Sequence, residues 1–256
     1  MKSIKLLMIG NSFSEDTSHY ASQIASKMGF SLGITNMYIG GCTLDTHLAK
    51  AKSKEGAYDM QVCKNGVWEF NLGKTLDDGI LLEDYDIVTL QQASGFSGIP
   101  SSYDGYLEDL LAYVKSKTRN KNAHYYWHMT WPYSVGSTHC DFPKYGCDQE
   151  KMYQAILNCV KTKVIGKAFE KIIPAGTAIQ NARLLFPDEK LSRDKFHLSY
   201  DLGRFIAGIT LVEALFNVDS RPYSLGCPTG EEDEKLAKEC AHNAILSPFE
   251  VTPLKQ

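Results

Sequence analysis

Apolar runs alternate along this chain with segments in which apolar residues recur every three to four positions. The short apolar runs predict five β-strands: Ile4–Ile9, Leu32–Ile39, Asp86–Gln91, Ala123–Met129 and Lys171–Pro174. The periodic segments predict helices over Glu15–Met28, Tyr103–Thr118 and Gln149–Lys167. Such alternation is typical of βαβ units around a parallel sheet. The predicted fold class is α/β, a flavodoxin-like three-layer sandwich with about five parallel strands.

Two stretches interrupt the alternation. In "MQVCKNGVWEFN" the pair Asn65-Gly66 separates two short alternating runs, which predicts a small β-hairpin insertion at about residues 58–72. The stretch "WPYSVGSTHCDFPKYGC", from Trp131 to Cys147, is a long irregular loop of the kind that is more often functional than idle. We therefore expect a decorated α/β core with one unusual loop.

The end of the chain predicts a further helix over about residues 229–245, because Thr229 and Glu232 have the spacing of a capping box. No repeat, low-complexity segment or linker divides the sequence. A single domain over residues 1–256 is the prediction.

Composition narrows the classes of partner. The chain has 256 residues, 43% of them hydrophobic, and a formal charge of -3, so nothing favours nucleic acid or an anionic membrane as partner. No apolar run approaches the ~20 residues of a membrane span. The N-terminal run is too short for a signal peptide, so the expected location is cytoplasmic, or periplasmic or secreted if a leader has been removed. The segment "HCDFPKYGC" matches no zinc spacing, so we expect no metal and no organic cofactor.

Candidate chemistry begins at the first turn. In "KLLMIGNSFS" Ser12 follows the first predicted strand and precedes a helix. In open parallel sheets ligands bind beyond the carboxyl ends of the strands, and a helix start favours developing negative charge. A serine is inert at neutral pH without a base and a group that orients the base. Ser12 is thus a turn residue or a nucleophile, depending on what the rest of the chain supplies.

The segment "SRDKFHLSYDLGRFIAGITLVEALF" supplies a candidate base. It places Asp194 three residues before His197, next to a strongly amphipathic helix that forms a rigid platform. Asp194 is able to accept the proton of one imidazole nitrogen and leave the other nitrogen free as a base. The alternative is an ordinary pair of surface side chains on a loop.

These motifs together resemble the SGNH (GDSL-like) hydrolase superfamily. A strand followed by G-N-S-F-S opens the chain, "YIGGCTLDTHL" resembles the second block, and D-x-x-H-L-S precedes the last core helix. The resemblance implies Ser12 as nucleophile, His197 as base and Asp194 as its orienter. It also implies that the N–H groups of Ser12 and Gly41, or Gly40, bind the oxyanion.

Two positions depart from the family pattern. Asn11 stands where most relatives have aspartate, and "VTLQQASGFSG" lacks the asparagine that normally follows the third parallel strand. Gln91 or Gln92 could supply the same amide donor, and alternation along the strand leaves the choice open. Loss of one such donor typically costs ~10²–10³ in rate.

Weaker candidates follow the second and fourth parallel strands. "HYYWHMTWPYS" places His128, Trp131 and Tyr133 where they could line a sugar site, although aromatic residues in a strand are commonly core. His47, in the predicted helix after Gly41, could face the same crevice.

The resemblance implies an esterase that removes a small acyl group, with acetyl on a carbohydrate as the expected substrate. The pattern is similar to a branch of the superfamily with no assigned substrate, whose characterised neighbours deacetylate carbohydrates. Two alternatives remain: a lipase or thioesterase for longer acyl chains, and a relative that binds glycans without turnover. The absent asparagine favours the non-catalytic alternative, whereas the polar, aromatic loop from Trp131 to Cys147 argues against an apolar trench.

Overall fold

A computed structural model describes residues 2–167 and 169–253. Within them the strands are β1 (Ser3–Gly10), β2 (Ser31–Tyr38), β3 (Tyr58–Lys64), β4 (Val67–Lys74), β5 (Ile87–Leu90), β6 (His124–His128) and β7 (Lys171–Ile173). The α-helices are α1 (Ser12–Ser18), α2 (Ala21–Lys27), α3 (Leu44–Ser53), α4 (Leu76–Ile80), α5 (Tyr106–Lys117), α6 (Gln149–Cys159), α7 (Ala175–Arg183), α8 (Asp188–Leu191), α9 (Leu202–Phe216) and α10 (Glu231–Leu246). Among these helices none is both long and apolar enough to cross a membrane.

The strands form one mixed sheet in the order β4-β3-β2-β1-β5-β6-β7. β2, β1, β5, β6 and β7 are parallel, and the hairpin of β3 and β4 is antiparallel. The chain leaves β1 toward β2 on one side and later returns to β5 on the other. This reversal places a crevice at the carboxyl ends of β1 and β5.

The prediction of an α/β fold with five parallel strands and a hairpin is confirmed, and each predicted end of a parallel strand lies within one residue of the observed one. The hairpin turns at Asn65 and Gly66, which both have positive φ, as a two-residue hairpin turn requires. The hairpin is part of the core sheet, since β3 pairs with β2 and so adds two strands to the edge of the parallel strands.

Helix boundaries differ more. The segment Glu15–Met28, predicted as one helix, belongs to two helices, α1 and α2. α1 ends at Ser18, whose hydroxyl donates to the Glu15 carbonyl and so competes with the helical hydrogen bonds. The apolar face continues through both helices, so the pattern conceals the break. The predicted capping box at Thr229 is absent; Gly230 precedes α10, and no side chain caps that helix.

Helices cover both faces of the sheet. α1, α2 and α7 pack against α9 on one face, and α3, α4 and α5 pack together in another group. Every residue of α9 is buried because α10 covers its outer side. The buried charged side chains of α9 have polar partners: Arg204 donates to Asp16, and the Glu213 carboxylate lies 2.9 Å from the His242 Nδ1. All seven cysteines are free thiols.

Candidate active site

Ser12 is the first residue of α1, directly after the turn at Asn11 that follows β1. We call residues Gly10–Ser14, where the strand passes into the helix, the serine turn. The Asn11 side chain caps α1 by accepting the Phe13 amide at 3.0 Å. Gly10 allows the close packing of this turn, because a Cβ there would lie 2.6 Å from the Ser14 Oγ and 2.9 Å from the Gln91 side chain. The turn therefore presents Ser12 half-buried at the carboxyl end of the central strand.

The structure brings the three residues predicted from opposite ends of the chain together. The His197 Nε2 lies 2.8 Å from the Ser12 Oγ, and the His197 Nδ1 lies 2.6 Å from the Asp194 Oδ2. Partial burial opposes the charge of Asp194, but hydrogen bonds from the His197 ring and from the His197 and Phe196 amides outweigh it. The pKa of the Asp194 carboxyl is therefore below its usual value, so the carboxylate stays ionised and accepts the His197 Nδ1 proton. The His197 Nε2, which faces Ser12, then has a free lone pair.

A buried ionic contact holds the segment that carries His197. We call residues 193–198 the histidine loop; an antiparallel bridge between Ser192 and Leu198 closes it. The carboxylate of Asp16, on α1, is fully buried and accepts the Leu198 amide at 2.9 Å and the Arg193 Nη1 at 3.0 Å. Arg204 of α9 donates to the same carboxylate at 2.7 Å. Asp16 thus fixes the histidine loop to the helix that begins at Ser12.

A cleft of about 220 Å³ opens over Ser12 and His197. Residues from several loops line it: Asn11, Ser12, Phe13, Tyr38, Gly40, Gly41, Ser94, His139, Phe196 and His197. A cavity of this size is smaller than the 300–1,000 Å³ of a typical drug-sized ligand site.

The predicted backbone donors lie in this cleft. Gly40 and Gly41 are exposed there, and the Ser12 and Gly41 amides have no hydrogen-bond acceptor within residues 2–167 and 169–253. Asn11 holds the loop that follows β2 and contains Gly40 and Gly41, since its Nδ2 donates to the Cys42 carbonyl at 3.2 Å. An aspartate at position 11 has no N–H to make that bond, which gives the departure from the family pattern a physical role.

Both glutamines that follow β5 are buried and face other protein groups. The Gln91 Nε2 donates to the Asn11 Oδ1 at 2.8 Å, and its Oε1 lies 2.7 Å from the His128 Nδ1. The Gln92 Nε2 donates to the Ser102 carbonyl and hydroxyl, while its Oε1 accepts the Leu44 amide. Both protons of the Gln92 amide are used, so its prediction as an oxyanion donor requires correction. Gln91 lies beneath the serine turn and does not line the cleft.

The predicted substrate contacts also require correction. His128, Trp131 and Tyr133 are 1%, 1% and 0% exposed, and they lie under the cleft. The Trp131 ring stacks on Phe13 at 4.2 Å, and its Nε1 donates to the Phe196 carbonyl. These three side chains belong to the core, where hydrogen bonds and ring packing with other buried groups occupy them.

Burial also determines the state of two histidines, His128 and His47. Burial lowers the pKa of His128 to about 3 and that of His47 to about 4. The His128 Nδ1 donates to the Gln91 Oε1, so the Nε2 of this neutral ring accepts the Thr17 hydroxyl proton. The His47 Nδ1 lies 2.9 Å from the Tyr58 hydroxyl. Neither imidazole reaches the cleft.

Sequence reasoning missed five side chains that line the cleft: Phe13, Tyr38, Ser94, His139 and Phe196. Phe196 adjoins His197, and His139 lies in the irregular loop that was expected to be functional, so proximity to those signals could have found them. His139, Cys140 and Asp141 offer ligand atoms within 4.8 Å of one another. However, the His139 Nδ1 accepts the Asp141 amide, and the Lys144 ammonium donates to the Asp141 carboxylate. These contacts already use two of the three groups.

Residues 5–244 match the family described as "Domain of unknown function (DUF4886)". A crystal structure of a DUF4886 family protein from Bacteroides uniformis is 36% identical, with a TM-score of 0.95 over 99% of this chain and 98% of its own. None of the curated proteins matches at a significant level.

Two other solved structures share the fold at low identity. One, named as a candidate SGNH hydrolase from Slackia heliotrinireducens, has 21% identity and a TM-score of 0.58 over 84% of this chain and 100% of its own. A family 3 carbohydrate esterase from Clostridium thermocellum has 12% identity and a TM-score of 0.51 over 84% of this chain and 96% of its own. The likeness shows that this chain has the same fold as these two proteins.

Proposed function

We propose that this chain, which belongs to the DUF4886 family, is a serine esterase that forms an acyl-enzyme on Ser12. The observation that carries the proposal is the continuous contact from the Ser12 Oγ through His197 to Asp194, at 2.8 and 2.6 Å. A hydroxyl, an imidazole and a carboxylate in this order are what nucleophilic acyl transfer requires. The hydrolase fold of its structural relatives agrees with this chemistry.

In the proposed reaction the Ser12 Oγ attacks the ester carbonyl while the His197 Nε2 takes its proton. Asp194 accepts the Nδ1 proton and stabilises the imidazolium that forms. The amides of Ser12 and Gly41 bind the oxygen that becomes negative in the tetrahedral intermediate. His197 then protonates the leaving alcohol, and later takes a proton from the water that releases the acid and restores Ser12.

The proposed substrate is a small acyl ester, with acetyl on a carbohydrate as the leading choice. The cleft of about 220 Å³ suits a short acyl group. Tyr38 and Phe196 at its rim offer aromatic surface against which an apolar sugar face packs. The carbohydrate esterase among the structures of similar fold is consistent with this choice.

A fluorophosphonate probe tests the nucleophile. We expect one labelled site in the wild-type protein and none in Ser12→Ala, with the free energy of unfolding changed by no more than about 1 kcal/mol. His197→Ala and Asp194→Asn should lower kcat by about 10³-fold or more with KM largely retained. Exposed Ser101, replaced by alanine, is the control and should retain full labelling. Labelling that survives in Ser12→Ala would overturn the proposal.

Two assays separate the proposed substrate from its alternatives. Hydrolysis of p-nitrophenyl acetate in preference to the octanoate supports a small acyl group, and the reverse preference supports a lipase or thioesterase. A wild-type protein that binds glycans but gives no burst with either ester would be the non-catalytic relative.

A further inference from the structure

We infer that Ser94 is the third oxyanion donor, in place of the asparagine that the sequence lacks; this role rests on the proposed esterase function. Ser94 begins a short 3-10 turn, Ser94–Phe96, in the segment that follows the end of β5 at Leu90. It lines the same cleft as Ser12, Gly41 and His197. Ser94 therefore lies on the side of the cleft that is formed by the chain after β5, the strand that neighbours β1.

The hydroxyl of Ser94 is held from behind by one partner. Within the described residues its Oγ has a single side-chain contact, the Tyr133 hydroxyl at 2.9 Å. Tyr133 is fully buried, and burial raises the pKa of its phenol, so the phenol keeps its proton at neutral pH. Each of the two hydroxyls, on Ser94 and on Tyr133, thus carries one proton. The direction of the hydrogen bond between them decides whether Ser94 presents a donor or an acceptor to the cleft.

His139 determines this direction. Its Nδ1 accepts the Asp141 amide at 3.2 Å, and burial lowers its pKa, so the neutral ring carries its proton on Nε2. That Nε2 lies 3.5 Å from the Tyr133 hydroxyl and has no lone pair to accept the phenol proton. The Tyr133 proton consequently goes to the Ser94 Oγ, and the Ser94 proton is free to point into the cleft.

The packing of this region keeps the three side chains in register. A Cβ at Gly95 would overlap the Asp141 side chain, so only glycine lets the turn and the loop approach this closely. The Tyr145 hydroxyl also donates to the Gly95 carbonyl at 3.1 Å. A preoriented donor of this kind stabilises the oxyanion without reorganisation during the reaction. Ser94 would be a catalytic residue, and Tyr133 and His139 positioning residues.

The test compares Ser94→Ala, Ser94→Thr and Tyr133→Phe with the exposed control Ser101→Ala. For each variant, kcat and KM on p-nitrophenyl acetate, the rate of fluorophosphonate labelling and the melting temperature are measured. Ser94→Ala should lower kcat and the labelling rate by about 10²-fold with KM within about twofold. Ser94→Thr keeps a hydroxyl, so its kcat should stay within about tenfold of the wild-type value. Tyr133→Phe should lower kcat by about tenfold.

If the wild type is active, two results overturn the role of Ser94 alone. One is a folded Ser94→Ala variant that keeps more than a third of the wild-type kcat. The other is an equal loss of kcat in Ser94→Ala and Ser94→Thr. If Ser94→Ala does not fold, the threonine and Tyr133→Phe variants decide by the same measurements. A wild-type protein that neither hydrolyses the ester nor takes the label overturns the proposed function, and the Ser94 role falls with it.

Discussion

The two sides of the cleft are held by different kinds of contact, although both are anchored on α1. Beneath the serine turn, a chain of neutral side chains connects Thr17, His128, Gln91 and Asn11 to the Cys42 carbonyl. We call it the neutral network. On the other side, the buried Asp16 carboxylate binds two arginines and an amide of the histidine loop.

This difference follows from what surrounds each side. The members of the neutral network are at most 2% exposed, and an unpaired charge among them would be costly. Asp16 is as deeply buried, but Arg193 and Arg204 compensate its charge, and Arg193 is 21% exposed along its side chain. Loss of one side chain should therefore lower the free energy of unfolding strongly on the ionic side and less on the neutral side.

The largest expected effect is that of Asp16→Asn, which tests the ionic side. The variant leaves Arg193 and Arg204 without their carboxylate, so the free energy of unfolding should fall by about 3–5 kcal/mol. The fluorophosphonate labelling rate should fall too, because the single side-chain oxygen of asparagine cannot accept from both arginines and from the Leu198 amide next to His197. Chemical denaturation and labelling kinetics measure the two effects.

Asp84→Asn is the matched control for that experiment. Asp84 pairs with Arg119 at 2.8 Å on the surface, where its side chain is 65% exposed. Exposed pairs contribute about 0–1 kcal/mol, so this variant should unfold almost as the wild type does. Equal destabilisation in the two variants would contradict the ionic account of the histidine loop.

A smaller effect is expected on the neutral side, where Gln91→Ala is compared with Gln92→Ala. Each variant leaves buried groups unsatisfied, so each should lose about 1–3 kcal/mol of the free energy of unfolding. Gln91 holds Asn11, and kcat should fall by about tenfold, whereas Gln92 holds Ser102 and should leave more than a third of kcat. A loss of 10²-fold or more in kcat for Gln92→Ala, with KM unchanged, would make it a donor after all.

Much of the fold was predictable because buried parallel strands leave short apolar runs that end in polar turns. The same rule located Ser12 at the end of β1, and the family motif located Asp194 and His197; the structure places these three in contact. Their proposed roles still depend on the labelling experiment.

The remaining parts of the site depend on contacts between distant parts of the chain. All four residues of β5 are buried and the strand ends at Leu90, so no alternation of buried and exposed positions decides where Gln91 and Gln92 point. A serine in a turn is ordinary, and Ser94 becomes a candidate donor only through Tyr133 and His139, which lie in a loop with no periodic pattern. An aromatic run such as that after β6 suits a core and a crevice equally well, which is why Trp131 was misplaced.

The last prediction concerns pH, and it tests whether the neutral network must stay neutral. Burial lowers the pKa of His128 to about 3, from an ordinary value of about 6.5. Between these values the unfolded chain binds a proton that the folded protein does not, so the free energy of unfolding falls as pH drops from about 6.5 toward 3, by up to about 1.4 kcal/mol per pH unit. His128→Gln should flatten this slope, and so should His47→Gln, because burial lowers the pKa of His47 to about 4. Only His128→Gln should also reduce kcat, since His47 contacts Tyr58 and lies outside the network. Urea unfolding between pH 4 and 7 gives the slopes, and a wild-type slope in His128→Gln would mean that this imidazole does not titrate with unfolding.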